Sequence, residues 1–162
     1  MTLLIRVVAG LLALIELVIG AWNQFWPEHF YAHFPTVELT PPFSEHYARD
    51  FGGASLGIAA VLIAAAIAPN GLLVTVAGLA YVVFAVPHFI FHASHLEHAT
   101  GAEAAFLIVA NGVTAALGAL LVVLGVLRMG RERARLRHPA LDRSAGGGDR
   151  QRPGGGVRSP VP

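Results

Sequence analysis

Apolar positions along the chain gather into four long runs, separated by short polar breaks. The runs span about residues 3–25, 51–68, 72–93 and 104–127. Each reaches or approaches the roughly 20 helical residues that cross a bilayer. Backbone groups in lipid must find partners within their own segment, so the runs are predicted to be helices; the short alternating strands of a β-barrel are missing from the pattern. Pro69-Asn70-Gly71 separates the second run from the third, and Thr100-Gly101 separates the third from the fourth. The expected fold class is therefore all-α, an integral membrane four-helix bundle over residues 1–128. Glu16 interrupts the first run and no small-x-small cleavage site follows it, which argues against a removed signal peptide.

The connection between the first two runs has its own pattern. WPEHFYAHFP is aromatic, and Trp22 and Trp26 stand where a membrane-interface belt is expected. Pro27 suits the first turn of a short helix lying in the headgroup plane. Pro41-Pro42 predicts extended chain, and Ser44 is a credible N-cap for a helix beginning at Glu45.

Composition agrees with this partition. Of 162 residues, 55% are hydrophobic and 13% are charged, about half the charged share of ordinary soluble domains. The mean hydropathy is +0.62. Absence of cysteine excludes disulfides, thiolate metal sites and cysteine nucleophiles. The net charge of +1 gives no support to a nucleic-acid partner, but the basic residues are unevenly placed. All are arginine, and apart from Arg6 and Arg49 they lie at or after Arg128. Positive residues stay cytoplasmic, so both termini are expected inside, at the plasma membrane, with the 24–50 connection facing out. Residues 129–162 read as a basic tail: a helical stub to Pro139, then a Gly/Pro/Arg-rich stretch unable to bury a core. The stub suits a topology anchor, with attraction to anionic headgroups as the alternative.

Polar groups within the runs need a reason, because an intramembrane charge costs roughly 2.5–3.5 kcal/mol on insertion scales. The first run holds Glu16 and Asn23, and the fourth holds Asn111. The second helix opens with Glu45, His46, Arg49 and Asp50. The third run ends in VPHFIFHASHLEH. With His88 as origin, a helix puts His92 about 40° away and His95 and Tyr81 about 20° away, one narrow stripe. Such a stripe is expected to face the bundle interior. Gly53 and Gly57 are expected to admit a close helix neighbour. The resulting cluster would unite Glu16, His46, Arg49, Asp50, His88, His92 and His95, with Tyr81, Asn23 and Asn111 in support.

Three chemistries suit that cluster. A hydrogen-bonded network would lock the helices together. His88 and His92, at i and i+4, would share a divalent metal (Zn, Cu, Fe or Mn) completed by a carboxylate from another helix. A b-type haem would take histidines from two helices, for example His88 or His92 with His46. The segments LIELVIG, WPEHFY, PPFSEHYARDFGGASLG and VPHFIFHASHL resemble those of small four-span actinobacterial membrane proteins, of the DoxX-like kind or a neighbouring domain family of unknown function. The resemblance covers about residues 3–127. It implies a plasma-membrane four-helix bundle and, from some DoxX-like relatives, an accessory or quinone-linked redox role. The function expected is a structural or accessory membrane component or small-ligand binder. A metal- or haem-dependent redox protein or transporter is the alternative. The bilayer is the expected partner, with a membrane-protein partner or a second copy of the chain as further candidates.

Overall fold

A computed structural model describes residues 1–39 and 42–137. It is helical, with no strand among the described residues. Helix α1 spans Thr2–Phe25, α2 Pro27–His33, α3 Glu45–Ile67, α4 Gly71–Ser94 and α5 Gly101–Arg137, with a short 3-10 turn at Val37–Leu39. Helices α1, α3, α4 and α5 are each long and apolar enough to cross a membrane. Pro41 and the tail beyond Arg137 lie outside the described residues.

Local chemistry sets the helix starts. Pro27 occupies the first turn of α2, where its missing N–H costs nothing. The Asn70 side chain caps α4 by accepting the Leu73 N–H at 2.9 Å. Thr100 and Glu103 form a capping box on α5: the Glu103 carboxylate accepts the Thr100 N–H at 2.7 Å, and the Thr100 hydroxyl accepts the Glu103 N–H at 3.4 Å. Ser44 stands at the N-cap of α3 but makes no side-chain cap bond. Its carbonyl receives the Ala48 N–H instead. Helix α4 runs through Pro87 to Ser94.

The bundle is built from two antiparallel hairpins, α1 with α3 and α4 with α5. Glycines set both contacts. A Cβ added at Gly52 would come within 2.6 Å of the Gln24 backbone nitrogen and 2.8 Å of the Gly20 carbonyl. In the other hairpin, a Cβ at Gly78 would meet the Val122 backbone at 2.7 Å, and one at Gly125 would meet Thr75. Backbones this close leave no room for a side chain, which is why small residues recur at membrane helix contacts. The expected Gly53 and Gly57 do not make this contact. Gly57 has nothing within 4 Å of a Cβ position, and Gly53 meets only the end of the Gln24 side chain. The seam of α3 runs instead through Gly52, Ser55, Ala59, Leu62 and Ala65, all buried.

The hairpins meet each other mainly in the half of the bundle that holds the start of α1 and the end of α5. Ile5, Val8, Leu12, Leu62, Val74, Leu121 and Leu124 form the buried core there. A polar clasp closes that end. Glu132 accepts the Gly71 N–H at 3.0 Å and pairs with Arg128 at 3.0 Å, and Arg128 donates to the Thr2 hydroxyl at 2.9 Å. The carboxylate thus sits at the N-terminus of α4, where the helix dipole favours it.

The glycine seam gives a graded expectation. Gly52→Ala should lower stability in detergent by roughly 1–3 kcal/mol, because the added methyl meets backbone and forces α1 from α3. Gly57→Ala, with open space at the same helix, should leave stability unchanged or slightly raised. Thermal unfolding of the two variants beside the parent chain checks both.

Candidate functional site

In the other half of the bundle the hairpins separate. A cavity of about 480 Å³ lies between them, bordered by α1, α4 and α5, with Phe51 alone from α3. The segment after α1 roofs it. Trp22 places its indole edge-on to Phe30 at 5.3 Å, and Phe30 stacks on Phe34 at 4.7 Å. Phe30, Phe34, Thr36 and Val37 all border the cavity. Thr36 is buried and adopts a φ of 71°, a strained conformation for a β-branched residue. Such strain persists where surrounding structure imposes it, often at a binding site.

The polar wall begins with Glu16. It is 3% exposed and lies beside Ser55 of α3, across the α1–α3 seam. Its Oε2 has no hydrogen-bond partner among the described residues, and no other buried side-chain oxygen or nitrogen among them shares that condition. Tyr81, 2% exposed, borders the same cavity from α4 beside Thr114 of α5. Asn23 and Asn111 border the cavity too. Each donates an amide N–H to its own helix, to Ile19 and Leu107 respectively, at 2.9 Å. These helix-internal bonds fix the amides without linking the hairpins.

Two of the four histidines at the end of the third run belong to this wall. His88 and His92 are half-buried, border the cavity and meet edge to face at 4.6 Å. His88 stacks on Phe84 at 5.2 Å. His95 leaves the expected stripe because α4 ends at Ser94. As the C-cap residue it turns outward, stacks on Phe91 at 4.2 Å and bonds the Phe91 carbonyl through Nδ1.

The charged residues at the start of α3 do not join. With Gly52 facing α1, Asp50 lies about 160° around the helix, on the opposite side. It pairs there with His46 at 3.4 Å, both side chains largely exposed. Arg49 pairs with Glu45 at 2.8 Å and donates to the Gln24 carbonyl. It ties the start of α3 to the end of α1 and does not border the cavity. His29 and His33 stack on each other at 4.1 Å, with the Trp22 indole N–H donated to His29.

This arrangement corrects the expected metal and haem geometry. Among the described residues, no three His, Asp or Glu side chains converge as a metal site. His88 and His92 have each other, but His95, His46 and Asp50 are turned away. His46, the partner expected for a haem held between α4 and α3, instead pairs with Asp50, and both side chains are largely exposed. Ser55 is the site residue missed from sequence. Its signal was present: a hydroxyl three residues after Gly52, on the face that meets α1, beside the only acidic residue of the first run. No protein-family model, curated protein or solved structure matches the chain.

The half-satisfied carboxyl separates a binding wall from a structural lock. A group that locks the bundle destabilises it on removal. A buried carboxyl oxygen without a partner costs stability instead, so Glu16→Met should raise stability by roughly 1–3 kcal/mol. Denaturation in detergent micelles measures this, and a marked loss would make Glu16 part of a lock.

Proposed function

We propose that the chain is an integral membrane protein that binds a small amphipathic molecule between its two helical hairpins. The observation that carries this reading is a buried Glu16, one oxygen unpartnered, on the wall of a cavity of about 480 Å³. That volume falls within the range of ordinary small-molecule pockets, which are mostly apolar with a few fixed polar groups. Phe51, Phe84, Phe106 and Leu107 supply the apolar wall, and Glu16, Tyr81, Asn23, Asn111 and the two histidines supply the polar groups.

The outer surface supports the membrane setting. Leu3, Val7, Leu14, Val18, Ile67, Val83, Ile90 and Val109 are all more than half exposed, a surface that lipid solvates and water does not. Arg128, Arg131, Arg133 and Arg135 stand at the end of α5, beside the start of α1. Their placement favours cytoplasmic termini in the plasma membrane, which turns the cavity half of the bundle outward. The resemblance to DoxX-like membrane proteins agrees with this setting and with an accessory role alongside another membrane component.

Native mass spectrometry of the chain in mild detergent tests the binding reading. The parent chain should carry a discrete small-molecule mass or take up added butylbenzene. Ala110→Phe, which places a ring in the cavity from α5, should abolish either signal while leaving unfolding unchanged. Equal signals from both chains, or none from the parent, would overturn it.

A further inference from the structure

The cavity's polar inventory discriminates between guests by charge. Among the described residues, Glu16 is the only acidic residue on its wall, and no arginine borders it. Arg6 and Arg128 stand at the opposite end of the bundle, where they reach Ile67 and Thr2. Arg49 is committed to Glu45 and the Gln24 carbonyl. An anionic guest would meet that carboxyl, and among the described residues the wall offers it no arginine, only the half-buried imidazoles of His88 and His92. Isolating any charge from water inside a bundle is costly unless an opposite charge accompanies it.

The remaining wall suits a cation as well. Phe51, Phe84 and Phe106 border the cavity with Tyr81, and aromatic faces attract cations most strongly where water is excluded. Phe51 and Phe84 lie 5.8 Å apart, and Tyr81 meets Phe84 edge to face at 6.4 Å, so these three rings form one connected surface. Glu16 Oε2, the one buried side-chain oxygen without a hydrogen-bond partner among the described residues, is what an N–H donor would complete. The side-chain amides of Asn23 and Asn111 add further acceptor oxygens, since each has turned an N–H to its own helix.

We propose that the guest is an organic cation, an amine carrying its proton on an aromatic or alkyl body, with the ammonium donating to Glu16 and the body packed against the phenylalanines. This rests on the reading of the cavity as a small-molecule site, and it names the class of molecule that the site takes.

Three probes of equal length separate the two statements: phenylpropylamine, phenylpropanol and butylbenzene. Binding of each is measured to the full chain in nanodiscs at neutral pH, with empty nanodiscs subtracted. The amine should bind roughly tenfold or more tightly than the alcohol or the hydrocarbon, the scale of one hydrogen bond to a charged group. Glu16→Gln should remove that preference while hydrocarbon binding persists. Equal affinity for amine and alcohol in the parent chain would overturn the cation assignment and leave the cavity reading intact. Failure of all three probes to bind would overturn both. If the Gln variant does not fold, the ranking of the three probes on the parent chain decides alone.

Discussion

Backbone touches backbone along two seams, and the shape of the bundle follows from that constraint. Gly20 and Gly52 hold α1 on α3, and Gly71, Gly78 and Gly125 hold α4 on α5. In a bilayer, apolar contact between helices gains little over contact with lipid tails, so close packing has to do the holding. The seams bring each pair to its minimum separation. They set no such limit between the pairs. Near the chain ends, Leu12, Leu62, Val74 and Leu121 fill the space between hairpins completely. Toward the other end the facing positions carry rings, and rings with few orientations leave a gap that branched aliphatic side chains would have closed.

The buried carboxyl has meaning only in that gap. Glu16 reaches Ser55 because Gly20, one turn further along α1, lets α3 approach. Glu16 also borders the cavity, as Tyr81 and Thr114 do from the neighbouring hairpin. A structural network would have spent both oxygens of so costly a group. One oxygen left without a partner, beside a cavity with strained Thr36 in its roof, is the pattern expected where local stability has been given up for binding.

Much of this architecture was legible in the sequence. The four apolar runs, the Pro69-Asn70-Gly71 turn, Pro27 opening α2 and the α3 start at Glu45 all follow from periodicity and local turn chemistry. So does the pairing of His88 with His92 and Tyr81 on one face, because i, i+4 and i, i+7 spacing is a property of the helix itself. What failed was the relation between helices. His46, Arg49 and Asp50 are near the right depth, but the side they present depends on which glycine of the Gly52-Gly53 pair meets α1. A one-residue choice rotates the face by about 100° and carries Asp50 out of the bundle. His95 failed for a different reason, because a helix end at Ser94 dissolves the periodicity that the stripe assumed.

That dependence also explains why the acid and the imidazoles ended in one chamber while their expected partners did not. Residues in helix interiors are aimed by a seam over many turns, as Glu16, Tyr81 and Thr114 are. Residues at helix ends answer to nearer demands: Arg49 satisfies the carbonyl that α1 leaves open at Gln24, and Asp50 finds His46 one turn back. Charges at the rim therefore complete the termini, and among the described residues the chamber keeps a single acidic group beside rings, imidazoles and amides. Such a chamber suits the proposed cationic guest, which would bring with it the partner that Glu16 lacks.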